Sequence, residues 1–439
     1  MAPIRILLLL LVAAGPAAAA GSLRVGTSGD YAPFSRRVDG GYEGFDVAVA
    51  RAFATERGLA LEFVPFEWPD LLSDLEAGRF DVAMSGVTLR PERSLAGRFT
   101  VPVAETGAVA LVRGASRARS LADLDGPGVR VAVNRGGHLE GVARARLPRA
   151  RIETLSPNAA VREALLAGRA DAAVSDTLEA PRWREGAPDL VVLGPFTRDR
   201  KAYLVRAGRA DLAADLDAWL LAREADGSLA RWRTEHLGPG QGPAAEPLGA
   251  LLAALDERLA LMPLVAEAKR AAGLPVEAPE QEARVVEAGL AAVRAAARAA
   301  GRPTPDEDAV RALYRAQIEA AREIQRGVLD EPPADAPPDA ADLDKELRPA
   351  LLRIGERVAR LLVALPAGLD CARVRDAADD AIRAPHLDGA HVRALADAVA
   401  ASAGAACPAP QASGAAGAAR SELQASGGRA AGRSPAKAQ

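Results

Sequence analysis

The stretch Asp171-Ala-Ala-Val-Ser-Asp-Thr-Leu-Glu-Ala-Pro181 decides how the first half of this chain is interpreted. Its apolar part, residues 172–175, predicts a short buried strand that runs into a helical turn. Asp176 and Glu179 follow at the end of that strand, where both carboxylates would face the cleft above the sheet. One acid would suffice to hold the ammonium group of a bound amino acid. The second acid raises the question of chemistry.

Short β-rich runs alternate with amphipathic helices from Leu23 to about Leu237, on both sides of this stretch. The predicted strands are residues 23–27, 61–65, 81–85, 129–133 and 172–175. The predicted helices are residues 45–57, 69–77, 137–145 and 159–167. Such alternation predicts an α/β fold with largely parallel sheets. The β-like runs 108–113 and 202–206 suit hinge crossings between two lobes, near residues 112 and 204.

Beyond a linker rich in Gly and Pro, residues 239–246, the β signals end. Helices are predicted at 247–272, 280–300, 307–329 and 340–365, with shorter ones around 370–402, and a Pro-rich run at 332–338 separates the second long pair. Residues 22–238 and 247–407 therefore form an α/β domain and an all-α domain. Residues 408–439 lack apolar periodicity and are predicted to be disordered.

The composition excludes some classes of protein. Apolar residues make up 49% of the 439 residues and the formal net charge is −3, which favours well-packed globular domains and argues against nucleic-acid binding. Residues 1–20 have the form of a secretory signal, with Arg5 before an apolar run too short to span a bilayer. We expect a periplasmic protein with no membrane attachment once the signal is cleaved.

Two cysteines, Cys371 and Cys407, are the only ones in the chain. In an oxidising compartment we expect them to pair. The bond would close a loop of 407 − 371 = 36 residues. On the chain-entropy model such a loop stabilises the fold by roughly 3–4 kcal/mol. The four histidines, at 138, 236, 386 and 391, lack metal-ligand spacing, so no metal site is predicted.

Polar residues follow several of the predicted strands in the first half. Ser85 and Thr88 offer hydrogen-bond donors, and Arg93 suits a carboxylate bidentately, although a surface position is the default for an arginine. The segment Asn134-Arg-Gly-Gly-His138 lies between a strand and a helix, where free backbone N–H groups favour an anion. Together with Asp30 after the first strand, these residues predict a ligand cleft.

Residues 23–238 resemble the periplasmic type-3 solute-binding family and, within it, the cyclohexadienyl dehydratases. Of the shared segments, the Glu179 that follows Ser-Asp-Thr-Leu and the Lys201-Ala-Tyr segment favour the enzymes over the binders. The segments that carry the resemblance are Thr27-Ser-Gly-Asp-Tyr-Ala-Pro-Phe-Ser35, Gly41-Tyr-Glu-Gly-Phe-Asp46, Trp68-Pro, Phe80-Asp-Val-Ala-Met-Ser-Gly86, Val133-Asn-Arg-Gly-Gly137, Ser175-Asp-Thr-Leu-Glu-Ala180 and Lys201-Ala-Tyr-Leu204.

The resemblance implies dehydration of prephenate or arogenate, in which water and CO2 leave and an aromatic ring forms. Glu179 is then the proton donor, kept protonated by burial, and Asp176 fixes or tunes the ligand. Carboxylates would be held by Arg93, Lys201 and the 134–138 loop, and Trp68 would form a wall for the ring. The implied substrate-binding residues also include Asp30, Ser85, Thr88, Asn134, Gly137 and His138. His138 departs from the family, whose members tend to carry a small hydroxyl residue there.

A non-catalytic interpretation remains open at this stage. Glu179 could be a solvated acid at a helix start, Trp68 could be part of the core, and Asp176 alone would suit the ammonium group of an amino acid. The alternative is then an amino-acid receptor for a transporter or sensor, fused to the predicted helical domain.

Arg258 and Lys269 lie inside the apolar stripe of the predicted helix 247–272. They are eleven residues apart, which places them within about 20° of each other at about 100° per residue. Cations on an inward face are costly without an anionic partner. Either a structural ion pair or a bound dicarboxylate would provide one.

This half resembles the all-helical chorismate mutases, specifically the exported subclass with a C-terminal disulfide. The resemblance covers about 247–407 and implies that Lys269 and Gln325 bond the ether oxygen while Arg258 and Arg348 clamp carboxylates. Two positions depart from the family. Where the family has Asp-x-x-Arg-Glu, this chain reads Ala278-Pro-Glu-Gln-Glu282. Either a short insertion moves Arg284 into the position of the family's arginine, or that arginine is missing. At the second position, Ala321 replaces a hydroxyl residue.

The two halves together predict a bifunctional enzyme that makes prephenate from chorismate and converts prephenate or arogenate to phenylpyruvate or phenylalanine. Neither step requires a cofactor, and the partners are these small molecules. Preference between prephenate and arogenate stays open, as does a homo-oligomer through either domain.

Overall fold

A computed structural model describes residues 21–332 and 341–407. The predicted signal at 1–20, most of the Pro-rich run and the tail at 408–439 lie outside the described residues. In chain order the strands are β1 Ser22–Thr27, β2 Asp30–Tyr31, β3 Ser35–Val38, β4 Gly41–Glu43, β5 Ala60–Pro65, β6 Val82–Ala83, β7 Gly97–Phe99, β8 Ala104–Thr106, β9 Ala108–Arg113, β10 Arg130–Asn134, β11 Arg151–Leu155, β12 Ala172–Asp176, β13 Leu190–Leu193, β14 Asp199–Lys201 and β15 Leu204–Arg206.

The helices follow the same order. They are α1 Phe45–Glu56, α2 Leu71–Glu76, α3 Pro91–Ala96, α4 His138–Arg146, α5 Ala159–Leu166, α6 Ala180–Arg184, α7 Ala210–Ala225, α8 Ser228–Leu237, α9 Pro247–Ala260, α10 Met262–Ala272, α11 Pro279–Ala300, α12 Glu307–Asp330, α13 Arg348–Ala364, α14 Cys371–Ala381 and α15 Gly389–Ser402. Among the described residues no helix is both long and apolar enough to cross a bilayer.

Two five-stranded sheets form the two lobes, which confirms the predicted α/β architecture. Lobe 1 has the strand order β5-β1-β6-β15-β7, and lobe 2 has the order β11-β10-β12-β9-β13. The expectation of largely parallel sheets is wrong for half of each sheet. The pairs of β1 and β10 are parallel, whereas β15 and β9 pair antiparallel with their neighbours. Both antiparallel strands follow a crossing between lobes, so the chain enters each sheet in the reverse direction.

The hinge crossings lie a few residues before the expected ones. Strands β8 and β14 pair antiparallel in a separate two-stranded sheet that connects the lobes. The runs expected at the hinge, 108–113 and 202–206, instead contain β9 of lobe 2 and β15 of lobe 1. The lobe strand β9 is almost entirely apolar, whereas the hinge strands β8 and β14 are three residues long and carry charged or polar side chains, so apolar periodicity did not mark the hinge.

Beyond the linker the described chain is helical, as predicted. The single helix expected at 247–272 is two helices, because Pro263 has no backbone N–H and is placed in the first turn of α10. The helix expected from residue 340 starts with a π-helical turn at Leu343–Leu347 and continues as α13. Cys371 and Cys407 form the predicted disulfide, with Cα atoms 5.5 Å apart.

Lobe 1 and the helical domain share one hydrophobic core, while lobe 2 has its own. A contiguous cluster of buried apolar side chains runs from Val25 and Phe99 in the lobe 1 sheet through Leu251 of α9 to Leu395 of α15. Lobe 2 contains two separate clusters on opposite faces of its sheet. Lobe 1 and the helical domain therefore form one packed body.

Two candidate active sites

Side chains from both lobes and the hinge meet in one cleft at the end of β12. Its lining residues are Tyr31, Trp68, Gly86, Thr88 and Arg93 of lobe 1, Lys201 of the hinge, and Asn134, His138, Leu139, Asn158 and Glu179 of lobe 2. Nine of these eleven side chains carry a polar or charged group, which suits a small polar ligand.

Glu179 is the buried acid of the cleft, with 4% of its surface exposed. It lies immediately before α6, where the chain turns out of β12. Oε2 accepts a hydrogen bond from Ser175 Oγ at 2.7 Å, and Oε1 accepts one from Asn158 Nδ2 at 2.6 Å. Burial, reinforced by the charge of Asp176, raises the pKa of Glu179 to about 8. The group is therefore mainly a neutral acid at neutral pH.

Both oxygens of Asp176 accept hydrogen bonds from protein groups. Oδ1 accepts the backbone N–H groups of Leu178 (2.8 Å) and Glu179 (2.9 Å), which fixes the turn after β12. Oδ2 accepts the phenol of Tyr31 and lies 3.9 Å from Lys201 Nζ. Asp176 therefore orients neighbouring protein groups, and it leaves little room for a ligand ammonium group.

Two buried cations face this acid pair. Lys201 Nζ donates to Tyr31 Oη and to Thr88 Oγ1, both at 2.9 Å, and burial lowers its pKa while the charge of Asp176 raises it. Arg93 donates to the Thr88 carbonyl at 2.9 Å and lies 5.8 Å from the ring centre of Trp68. Burial lowers the pKa of Arg93 to about 9, so it remains a cation at neutral pH.

The remaining predicted cleft residues divide into lining and supporting groups. Asp30 Oδ1 accepts a hydrogen bond from the indole N–H of Trp68 at 3.1 Å, which orients the indole ring. His138 Nε2 lies 3.0 Å from Asp199, and burial lowers the pKa of the imidazole. Ser85 is fully buried against Ser28 rather than in the lining, and Gly137 precedes α4 as its N-cap, also outside the lining.

Two buried residues of the lining were missed by the sequence reasoning, and a third buried residue, Asp46, lies outside the lining. Tyr31 connects Asp176 to Lys201, and Asn158 holds Glu179. Asp46 accepts Gly86 N–H at 2.5 Å and the Tyr203 phenol at 3.1 Å, and burial raises its pKa to about 7. Tyr31 and Asp46 stand inside quoted family segments, whereas nothing in the sequence around Asn158 marked it.

The two lobes touch across the cleft. Tyr31 of lobe 1 bonds Asp176 of lobe 2, and Asn158 Nδ2 donates to the Asp30 carbonyl at 3.3 Å. Gly136 has φ +69°, and a Cβ on it would lie 2.7 Å from the backbone nitrogen of Pro69. A glycine is needed for this close approach, so the cleft is described here in its closed arrangement.

The helical domain contains a second polar cluster, on the inner face of α12. Tyr314, Gln317 and Gln325 are all at least 95% buried. Within the described part of the chain, Tyr314 Oη, both polar atoms of the Gln317 amide and Gln325 Oε1 have no hydrogen-bond partner. Buried polar groups of native proteins are normally paired. Four such atoms on one helix face indicate a site for a polar ligand.

Arg258 and Lys269 lie beside this face. Arg258 donates to the Leu351 carbonyl at 3.3 Å and Lys269 to the Val276 carbonyl at 2.7 Å, but neither forms a salt bridge with a carboxylate among residues 21–332 and 341–407. Burial lowers the pKa of both groups. Neither cation is therefore neutralised by a direct ion pair among these residues, although the charge of Glu282 acts on Lys269.

The structure places the two other predicted arginines differently. Arg348 begins α13, bonds Asp344, and acts electrostatically on Lys269. Arg284 is 64% exposed and turns back to Gln281 Oε1 at 2.8 Å. No inserted turn moves it inward, because α11 already starts at Pro279.

Arg322 is a fourth cation that the sequence reasoning missed. It lies one helical turn before Gln325 on α12, is 19% exposed and bonds Glu282. The charges of Arg322 and Glu282 both act on Lys269. The spacing of three residues before Gln325 was the available signal, since such residues share a helix face.

Comparisons with known proteins match the two domains separately. A family model described as bacterial extracellular solute-binding proteins, family 3, matches residues 23–239, and one described as chorismate mutase type II matches residues 249–326. The chain is 39% identical to the cyclohexadienyl dehydratase of Pseudomonas aeruginosa, over 49% of this chain and 82% of that protein. It is 30% identical to the L-cystine-binding protein TcyJ of Escherichia coli, over 48% of this chain and 80% of that protein.

A solved structure is also similar to the first domain. The ancestral amino acid-binding protein AncCDT-1, described as a precursor of cyclohexadienyl dehydratase, is 37% identical, with a TM-score of 0.47. The match covers 49% of this chain and 96% of the ancestral protein.

Proposed function

This chain belongs to the bacterial extracellular solute-binding proteins of family 3, and on that premise we propose that it is a bifunctional enzyme. Its helical domain rearranges chorismate to prephenate, and its cleft dehydrates and decarboxylates prephenate or arogenate. The product of the first site is the substrate of the second. Since family-3 proteins are extracellular, we place both reactions outside the cytoplasm, in the periplasm.

The observation that carries the dehydratase proposal is the burial of Glu179 in the cleft, 4% exposed and hydrogen-bonded to Ser175 and Asn158. A ring hydroxyl leaves easily only as water, so the site needs an acid that still holds its proton at working pH. Glu179 meets this need because burial and Asp176 raise its pKa to about 8. Arg93 and Lys201 remain available to hold the substrate carboxylates, since Lys201 meets Asp176 only at 3.9 Å.

Dehydration and decarboxylation of the substrate then require no chemical group other than the substrate and these side chains. The Glu179 proton passes to the ring hydroxyl, and the C–O bond breaks to release water. The ring carboxylate leaves as CO2, and the electron pair of its C–C bond completes the aromatic ring. Glu179 is left as a carboxylate and recovers a proton from solvent when the cleft opens. Trp68, held by Asp30, lies along the ring.

The receptor alternative is less well supported by the same geometry. An amino-acid receptor needs an acceptor for the ligand ammonium group, and Asp176 was the candidate. Its oxygens are occupied by Tyr31, by two backbone N–H groups and by the nearby Lys201 charge. A neutral Glu179 is also a poor partner for a cation.

The mutase proposal depends on the unpaired buried polar atoms of α12. The rearrangement is unimolecular, so the site needs to compact the substrate and stabilise charge on the ether oxygen, with no nucleophile. Lys269 and Gln325 are proposed as the ether-oxygen donors, and Arg258 and Arg348 as carboxylate partners. With Arg284 turned outward, Arg322 is a further cation whose charge acts on Lys269.

A paired assay tests both activities. Purified protein is given prephenate and, separately, chorismate, and phenylpyruvate absorbance and chorismate loss are followed. We expect both substrates to be consumed. If micromolar protein produces no phenylpyruvate and instead binds an amino acid tightly, the receptor interpretation replaces the dehydratase proposal.

A further inference from the structure

Three consecutive residues of α9 connect the two sites. Arg258 lies in the proposed mutase site. Glu257 Oε1 accepts a 2.8 Å hydrogen bond from Ser94, the residue after the cleft cation Arg93. Asp256 Oδ2 accepts a 2.7 Å hydrogen bond from Arg200, the residue before the cleft cation Lys201. One turn of helix therefore touches the immediate neighbours of both carboxylate-binding cations of the cleft.

The contact between Glu257 and Ser94 is buried, and both oxygens of Glu257 have a partner. Glu257 is 2% exposed, and Ser94 is 1% exposed. Arg357 of α13 forms an ion pair with the other Glu257 oxygen and also donates to the Phe99 carbonyl of β7. Removing one partner of a buried ion pair is far more disruptive than removing an exposed one. Glu257 therefore joins α9, α13 and lobe 1 at a single point.

The helix that carries Arg93 depends on this point. Helix α3 has only six residues, too few to be stable by itself. Its end is held from the helical domain by Arg353, which donates to the carbonyls of Ser94 (3.1 Å) and Leu95 (2.7 Å). The direction in which Arg93 enters the cleft is therefore set partly by residues of the helical domain.

The hinge strand is held in the same way. Arg200 on β14 bonds Asp256, whose other oxygen accepts the Arg383 backbone N–H at 2.7 Å. Lobe 1, the hinge strand and the helical domain thus form one body with a common core. Lobe 2, which carries Glu179, closes against that body.

We propose that Glu257 is a positioning residue for both active sites, acting through Ser94 on Arg93 and through its own helix on Arg258. The inference rests on the proposed function and deepens it. It makes the two carboxylate-binding arginines energetically coupled, so that a change in the Ser94–Glu257 contact alters substrate binding at both sites. The contact itself touches neither substrate.

The test uses the full chain and the variants Ser94→Ala and Glu257→Gln. We expect KM to rise for both prephenate and chorismate by roughly two- to thirty-fold, with kcat changed much less. Ser94→Ala removes only a hydroxyl, so it remains informative even if Glu257→Gln does not fold. Restoring the acid as Glu257→Asp should recover part of the loss, because the charge opposite Arg357 returns.

Glu356→Gln is the matched control. Glu356 belongs to the same interface and bonds Arg98 at 2.7 Å, but it is 50% exposed and, among the described residues, bonds neither Ser94 nor Arg357. Both KM values should stay at the wild-type level in this variant. A purely structural role of Glu257 would lower the melting temperature and leave both KM values unchanged, and that result overturns the proposal. A rise in only one of the two KM values also overturns it.

Amide hydrogen exchange separates this inference from the proposed function. Ser94→Ala should reduce protection in both α3 and α9, whatever the substrates are. If the wild type consumes neither substrate, the proposed function fails, while the exchange result still decides the link. Unchanged protection in α9 contradicts the link even in an active enzyme.

Discussion

Asn158 and Glu179 are joined by a 2.6 Å hydrogen bond from the Asn158 amide to Glu179 Oε1, inside lobe 2. Because Asn158 also donates to the Asp30 carbonyl of lobe 1, the same side chain contacts the opposite lobe and holds the Glu179 carboxyl group. The bond lowers the pKa of Glu179 while burial and Asp176 raise it, and burial has the larger effect. The balance leaves an acid that keeps its proton at neutral pH.

Replacing Glu179 by Gln should abolish prephenate turnover. The amide preserves the shape and one hydrogen-bond partner but has no acidic proton, and general acid catalysis typically contributes about 10²–10⁴-fold. Phenylpyruvate formation measures the loss, and chorismate consumption by the same sample serves as the control. Retention of more than a tenth of the dehydratase activity would remove Glu179 from the role of proton donor.

The pH dependence of prephenate turnover should follow the same group. Glu179 must be protonated to act, so kcat/KM should be flat below its pKa and fall tenfold per pH unit above about 8. The raised pKa means that activity is lost on the alkaline side, not the acid side. Initial rates between pH 6 and pH 9 check this, after confirming that the protein stays folded, because Arg93, with a pKa of about 9, loses its own charge at higher pH. An alkaline limb that persists in Asn158→Ala but moves to higher pH would agree with the bond from Asn158.

Lys269→Ala should remove mutase activity and leave prephenate turnover intact. A donor to the developing charge on the ether oxygen is worth about 10²–10³-fold, and Lys269 lies in the helical domain, far in sequence from the cleft residues. Chorismate loss and phenylpyruvate formation are measured on one preparation. Loss of both activities in a folded variant would contradict two independent chemical sites.

A matched pair of arginine variants tests which cation the mutase site uses. Arg284 is 64% exposed and bonded to Gln281, so Arg284→Ala should leave chorismate KM unchanged. Arg322 lies one helical turn before Gln325 on α12 and is 19% exposed, so Arg322→Ala should raise chorismate KM by roughly tenfold through the loss of one charge-assisted hydrogen bond to the substrate. The reverse pattern would mean that α11 rearranges when substrate binds.

Gly136→Ala should impair closure of the cleft. Gly136 has φ +69° and a Cβ would lie 2.7 Å from Pro69 N. The left-handed conformation alone costs an alanine about 1–2 kcal/mol, so kcat/KM for prephenate should fall roughly tenfold or more. Gly128→Ala is the control, since its Cβ would meet nothing within 4 Å and its φ is not positive. Equal activity of the two variants would show that closure does not need this contact.

The local sequence pattern was sufficient to predict several strands and helices and to place Asp176 and Glu179 together at the end of β12. Alternating periodicity located β1, α1 and β12 to within a residue or two, because one buried face repeats at a fixed interval along the chain. It failed at the hinge and at α9–α10. Strand β8 is three residues long with one apolar residue, so it has no periodic signal beside the apolar β9, and the apolar stripe of the helical region continues across the break at Pro263.

The sequence by itself determined the two domains, the acid pair, the disulfide partners and the inward cations Arg258 and Lys269, since each depends on residue type and local spacing. Only the tertiary structure decided which groups meet. It brought Tyr31 to Asp176 across 145 residues and Ser94 to Glu257 across 163, and it turned Arg284 outward. Such contacts depend on how lobes and helices pack, and nothing in a local period records that packing.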